Sequence, residues 1–274
     1  MKKIFITGGN GYLGSELTLQ LSKKNYQVVS LINKKKIKRL KNVKYVFGNL
    51  SSNLEKYLTD LDLIIHCAAS GVYNKRIKKK MYKTNNEDSI NFLKRAYKAG
   101  CKNWILMGSS TEYGYLKNKP ISVKTTRLKP IDSYGLSKLK FFKNLLKFRH
   151  FNNCKILYLR IFQLYGKNEP RGRLYRDLID SINNNVDFKM TDGNEIRDFI
   201  HINEAIRKII KSFKLFDKKN FFLVKHLAEG KGIMIKDFVK NIWKKNKAKK
   251  KILIGSLRRK AIYHSMYSDK SSLI

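Results

Sequence analysis

Residues 3–21 read KIFITGGNGYLGSELTLQL, and the fold turns on them. Ile4-Phe5-Ile6-Thr7 is a short apolar run ending in glycine, the pattern of a buried parallel strand. Leu13, Leu17 and Leu21 then recur at helical spacing. Between strand and helix stand Gly8, Gly11 and Gly14. The first glycine allows a tight turn, and the second lets backbone approach a pyrophosphate. The third lets the helix pack close to the strand, with its N-terminus aimed at the anion. A glycine triplet alone carries little information; its place between a strand and a helix gives it meaning.

Working outward, apolar runs at 28–32, 43–47, 61–66, 104–107 and 156–162 predict further strands. Helical patterns over about 85–98 and 133–148 separate the later ones. Strands alternating with helices predict right-handed βαβ units and an α/β fold, a doubly wound parallel sheet of Rossmann type. The alternation weakens after Gly166, where a more polar stretch runs to Arg197. It resumes with a helix over 203–216 and a strand over 221–224. The expected organisation is a nucleotide-binding domain from 1–166 and 200–229. A small discontinuous α/β substrate lobe would come from 167–199 and 230–274.

The chain has 274 residues, and 60 Lys+Arg against 20 Asp+Glu give a net charge of +40. At 42% hydrophobic it can build a sizeable core, which excludes wholesale disorder. The charge invites a nucleic-acid reading, but its kind argues otherwise. Lys outnumbers Arg 47 to 13, and Asn is abundant while Ala is scarce, as A/T-rich codon drift produces. The expectation is a solvated, drifted surface touching nucleic acid only non-specifically. No apolar run approaches the ~18–20 residues of a membrane span. The N-terminus turns glycine-rich too soon for a signal-peptide core. Cys67, Cys101 and Cys154 are widely spaced and odd in number, so neither a disulfide framework nor a zinc site is expected. A reduced cytoplasmic protein follows. The five histidines are scattered, no metal is expected, and His66 reads as packing near the cofactor.

An acid ending the second strand of a dinucleotide site would bind the ribose 2′-hydroxyl. Here that end is Asn33-Lys34-Lys35-Lys36. Asn33 and the lysines suit a 2′-phosphate, so NAD(P) is expected, with NADP favoured over NAD. Tyr134 and Lys138 lie four apart on one helix face. A tyrosine with its free pKa of ~10 is a poor acid or base at neutral pH. A lysine ammonium and a positive nicotinamide beside it favour the phenolate. Ser109, ending the fifth strand, is placed to hydrogen-bond the same substrate oxygen. The trio is suited to moving a proton on an alcohol or carbonyl while hydride passes to or from the nicotinamide.

These residues resemble an extended short-chain dehydrogenase/reductase of the NAD(P)-dependent sugar-nucleotide epimerase/dehydratase family. The resemblance runs from Lys3 to about Asp237. It rests on the glycine loop, Gly48-Asn49-Leu50, His66-Cys67-Ala68-Ala69, Asn85 and GSSTEYG at 108–114. Tyr134-Gly-Leu-Ser-Lys138, LRIFQLYG at 159–166 and RDFIHI at 197–202 complete the series. It implies that Tyr12 and Leu13 cover the pyrophosphate, that Asn49 and Leu50 border the adenine, and that Cys67, Ala68, Ala69 and Ser70 line the cofactor. Asn85 would sit toward the nicotinamide, and Phe162 would touch the cofactor. Ser109, Tyr134 and Lys138 match the catalytic trio, with Ser110 the neighbouring candidate. Gln163 takes a substrate-contacting position, and Arg173 and Arg197 resemble arginines that grip a nucleotide diphosphate.

Departures from the pattern narrow the reaction. Dehydratases of the family place Asp-Glu directly after the hydroxyl residue, whereas Ser110-Thr111 follow Ser109 here. No acid/base pair for epimerisation beside a ketone is evident. The reactions left are 4-epimerisation and net ketone reduction on a nucleotide-diphosphosugar, the latter mildly favoured by the lysines after Asn33. The chain ends earlier than the full family C-terminus, so a minimal or partner-completed cap is expected. A homodimer is expected too. The rival reading is a cofactor-sensing or RNA-binding protein on the same fold. The intact trio argues against it, since a pure binder has no need of all three residues.

Overall fold

The computed structural model describes residues 2–34, 39–71, 78–116, 119–150, 153–217, 221–258 and 264–274. The first half runs β1 (Lys3–Thr7), α1 (Tyr12–Ser22), β2 (Gln27–Ile32), β3 (Val43–Phe47), α2 (Glu55–Leu58) and β4 (Leu63–His66). There follow α3 (Lys78–Tyr82), a π-helical turn (Lys83–Asp88), α4 (Ser89–Lys98), β5 (Asn103–Ser109), α5 (Ser133–His150) and β6 (Lys155–Ile161). Next come β7 (Gln163–Tyr165), α6 (Leu174–Asn183), β8 (Phe188–Met190), β9 (Ile196–Arg197), β10 (Phe199–His201) and α7 (Ile202–Lys211). The chain closes with β11 (Phe222–Leu227), β12 (Ile233–Met234), α8 (Ile235–Lys245), β13 (Ile252–Ile254) and β14 (Ser265–Met266).

Seven strands form one parallel sheet in the order β11-β6-β5-β4-β1-β2-β3. Successive side chains of a strand face opposite ways. Ile4 and Ile6 therefore join Leu17, Ile105 and Ile206 on one face, while Phe5 joins Trp104, Phe92 and Phe141 on the other. Both faces are covered, so these strands are continuously apolar. The strand order reverses between β1 and β4, which opens a crevice at their carboxyl ends. There the Thr7 hydroxyl meets His66 Nδ1 at 2.9 Å and accepts from the Ala68 amide at 3.1 Å.

The observed elements refine the expected ones. β4 starts at Leu63 because Asp62 is occupied with Lys3, its carboxylate accepting from the Lys3 amide at 2.7 Å. The helix expected over about 85–98 begins earlier and passes through the π turn, which buries Asn85 and Asn86. The helix expected over 203–216 stops at Lys211 and tightens to a 3₁₀ turn (Ser212–Asp217). There the Ser212 hydroxyl donates to the Ile209 carbonyl at 2.6 Å and competes with the helical ladder. The polar stretch after Gly166 holds α6, whose Leu178 is buried with Phe188, Met190, Val239 and Trp243 in a separate apolar cluster. β9 pairs with β12 and β14, and β10 pairs with β7, forming small sheets separate from the seven-stranded one. The chain end returns to the sheet, the Ile274 amide donating to the His226 carbonyl at 3.1 Å. Among the described residues no helix is long and apolar enough to cross a membrane.

Candidate active site

The loop after β1 has the tight geometry that its glycines imply. Gly8 has φ +68, and a Cβ there would lie 2.8 Å from the Ala68 nitrogen. A Cβ on Gly14 would lie 2.2 Å from the Gly8 carbonyl oxygen, so only glycine lets α1 approach the turn this closely. Gly11 is the N-cap of α1 and makes no side-chain capping bond. The first-turn amides of a helix have no intrahelical partner and carry the positive end of its dipole. Gly11, Tyr12, Leu13 and Gly14 all line a cavity of about 380 Å³. This cradle fits the pyrophosphate of a dinucleotide.

The same cavity is lined by Ser109, Ser110, Tyr134, Lys138, Phe162, Gln163, Arg173 and Arg197, with Cys67 and Ala69. Ser109 ends β5, and its Oγ lies 2.8 Å from Thr111 Oγ1 and accepts from the Thr111 amide at 3.2 Å. Tyr134 and Lys138 stand one turn apart on α5, after Asp132 accepts from the Gly135 amide at 2.7 Å. Lys138 is only 2% exposed. Burial lowers its pKa to about 8, against the opposing pull of the Glu112 carboxylate and Cys67. Burial likewise raises the Cys67 thiol to about 12 and holds it neutral. His66 is lowered to about 3 by burial and by Lys138; its second nitrogen meets Ser89 Oγ at 2.9 Å. It is a neutral, fully bonded core residue behind the cavity.

Both cavity arginines are held by acids. Arg173, the N-cap residue of α6, lies 3.4 Å from Glu169, which is almost fully buried. Burial raises the Glu169 carboxyl, with Arg173 pulling it down. Arg197 Nη2 donates to Glu195 at 2.6 Å and to His264 Nε2 at 2.7 Å. The His264 ring packs on Tyr115 with 3.7 Å between centroids.

Other expected site residues lie off the cavity lining. Asn85 is buried, with Oδ1 accepting from the Ser70 amide at 2.7 Å and Nδ2 donating to the Ser70 carbonyl and Ser137 Oγ, each at 2.9 Å. It clamps the loop after β4 to α5. Asn49 Oδ1 accepts from the Ser51 amide at 2.8 Å within its own turn, and Leu50 is packed into the core. Asn33 pairs with Asn10 of the glycine loop at 3.0 Å, while Lys35 and Lys36 lie outside the described residues. Gly8, Ala68 and Ser70 are likewise not among the lining residues. The expected set lacked Thr111, Tyr115, Asp132, His264 and Met266, which reach the cavity. Thr111 and Asp132 are neighbours of motif residues, a signal that could have found them. His264 and Met266 arrive through β14 pairing with β9, which no local pattern announces.

Comparison with known proteins places this geometry. A profile of the NAD dependent epimerase/dehydratase family matches residues 4–221. The chain belongs to that family. Among its relatives, UDP-glucose 4-epimerase 2 of Arabidopsis thaliana is 26% identical over 279 residues, covering 87% of this chain and 79% of the relative. UDP-arabinose 4-epimerase 1 of the same plant is 24% identical, covering 98% and 73%. Two solved structures share the fold. One is a UDP-N-acetylglucosamine 4-epimerase from Methanobrevibacter ruminantium M1 in complex with UDP-N-acetylmuramic acid, with TM-score 0.87, 23% identity, and coverage of 98% and 90%. The other is a UDP-glucose 4-epimerase from Bifidobacterium longum in complex with NAD+ and UDP, with TM-score 0.85, 22% identity, and coverage of 98% and 90%.

Proposed function

We propose that this chain is an NAD(P)-dependent oxidoreductase acting at C4 of the sugar ring of a nucleotide-diphosphosugar, of the 4-epimerase type. The observation that carries the reading is that one cavity gathers the glycine cradle, Ser109, Tyr134, Lys138 and two arginines. In this reading 1–166 and 200–229 hold the cofactor, and 167–199 with 230–274 hold the sugar nucleotide. A nicotinamide cofactor, when bound, supplies the hydride acceptor and donor. Tyr134 takes the proton of the reacting sugar hydroxyl and gives it back. Lys138, buried and cationic below about pH 8, stabilises the phenolate. The Ser109 hydroxyl, oriented by Thr111, hydrogen-bonds the sugar oxygen as it becomes a carbonyl. Arg173 and Arg197 bind the diphosphate through directed guanidinium bonds. Glu112, the nearest carboxylate in chain order, is buried and bonded to Arg160 and Tyr158, so it is not placed to expel water as a dehydratase acid.

A second reading, net reduction of a 4-ketosugar with NADP, is favoured by the end of β2. It carries Asn33 where an acid would bind a ribose 2′-hydroxyl, followed by Lys34. The working form in either reading is a cytoplasmic homodimer. The test supplies UDP-glucose, UDP-arabinose and UDP-N-acetylglucosamine with NAD or NADP and follows the C4 epimer by proton NMR, with a 4-ketosugar and NADPH as the parallel arm. Turnover in one arm is expected, and Tyr134→Phe should lower it by about a thousandfold while cofactor binding persists. Undiminished turnover in the Phe variant refutes the assignment.

A further inference from the structure

We propose that Glu112 is a positioning residue for this reaction, a buried carboxylate that fixes Ser109 from beneath. The inference rests on the oxidoreductase reading above. Glu112 has no solvent exposure. Its Oε1 accepts from the Ser109 amide at 2.8 Å and from the Tyr158 hydroxyl at 2.8 Å, and its Oε2 accepts from Arg160 Nε at 2.7 Å. The Ser109 side chain reciprocates as a capping box, accepting from the backbone of the turn that Glu112 ends. Gly108 makes room for this arrangement: a Cβ there would lie 2.7 Å from Glu112 Oε1 and 2.3 Å from the Tyr158 ring.

Stability alone is a poor reason for such a pair. Two buried charges are often replaceable by apolar side chains at no cost. Arg160 Nη2, moreover, has no hydrogen-bond partner among the described residues. The rest of the guanidinium is committed: Nη1 donates to the Tyr113 hydroxyl at 3.0 Å, and that hydroxyl bonds His226 Nε2 at 2.7 Å. Burial and Arg160 lower His226 to about 3, so it stays neutral. The charged groups beneath Ser109 are therefore the Glu112–Arg160 pair, whose formal charges cancel. Lys138 has His66 at the end of β4 and Cys67 just after it, both held neutral, and Tyr134 on its own helix. Glu112 is the carboxylate that favours its ammonium form.

The experiment compares the full-length protein with Glu112→Gln and with Glu112→Gln/Arg160→Met, the double variant removing both buried charges in case Gln alone destabilises the chain. Spectra of [15N]serine-labelled protein report the Ser109 amide, identified by its absence in Ser109→Ala. The amide should move upfield once its carboxylate acceptor is lost. In the folded variants kcat should fall by about ten- to a hundredfold with KM changed by less than about threefold. In Glu112→Gln the alkaline limb of the kcat profile should move to lower pH, because Lys138 gives up its proton earlier without the carboxylate. A purely structural role would move neither the limb nor the split between kcat and KM. A folded variant with wild-type kcat and limb overturns the proposal, as does an unmoved Ser109 amide. A wild-type chain inert toward every nucleotide sugar overturns the oxidoreductase reading instead, and the amide then still decides whether Glu112 holds Ser109.

Discussion

Replacing Lys138 by Met should stabilise the fold at neutral pH and disable the site. The side chain is almost wholly buried, and burial takes its pKa from 10.5 to about 8. That gap corresponds to roughly 3 kcal/mol by which the folded state disfavours the ammonium. Below pH 8 both folded and unfolded chains hold the proton, and the folded protein bears the whole penalty. As pH rises from 8 to 10.5 the folded chain has lost the proton that the unfolded chain still binds, so stability recovers with pH. The Met variant has nothing to titrate there, and the other groups are common to both proteins and cancel. The difference in unfolding free energy between variant and wild type should therefore shrink by roughly 2 kcal/mol from pH 7 to pH 10. Urea unfolding of both proteins at the two pH values measures it. A difference that stays constant with pH means that Lys138 is not titrating as a buried cation, and the electrostatic account of Tyr134 goes with it.

Asn85→Ala removes three hydrogen bonds between the loop after β4, the π turn and α5. It should cost about 2–4 kcal/mol in urea unfolding and weaken cofactor binding, since Cys67 and Ala69 of the same loop line the cavity; unchanged binding would separate that loop from the cofactor. Gly14→Ala drives a methyl against the Gly8 carbonyl, with 2.2 Å available. Cofactor affinity by fluorescence titration should drop more than about tenfold, or 1.4 kcal/mol, and retained affinity would contradict the tight cradle.

The sheet was legible because its strands are buried on both faces and read as unbroken apolar runs, from Ile4-Phe5-Ile6 to Trp104-Ile105-Leu106. That Ser109, Tyr134 and Lys138 belong together was legible because each lies at a strand end or on one helix face, and the fold brings all three to one cavity. α6 was harder: Leu174, Leu178 and Ile182 keep helical spacing, but Leu178 alone among its residues is buried, so its apolar stripe is thin. The π turn was illegible, since KTNNED carries no apolar residue and Asn85 and Asn86 are buried through side-chain bonds to distant partners. Glu112 was visible as a letter of GSSTEYG. Its meaning depended on Tyr158 and Arg160, which β6 brings alongside β5. Asn85, expected toward the nicotinamide side, bonds through its side-chain amide to Ser70 and Ser137, partners that its local sequence does not reveal.

The net charge also acquires a sharper sense. With 60 basic residues to 20 acidic ones, most cations cannot have an acid of their own. Yet Arg160, Arg173 and Arg197, in or beneath the site, each have one: Glu112, Glu169 and Glu195. A surface lysine needs no partner because water solvates it, whereas an arginine lowered into a cavity would otherwise bear its desolvation alone. Asp198, next to Arg197, follows the same logic. It is fully buried and accepts from the amides of Glu229, Gly230 and Ser268, tying β9 to the segments before β12 and after β14. Salt would therefore screen the scattered lysines and leave these partly or wholly buried pairs largely intact. The excess charge is a property of the exterior, whereas in and beneath the cavity a few acids are set against particular cations.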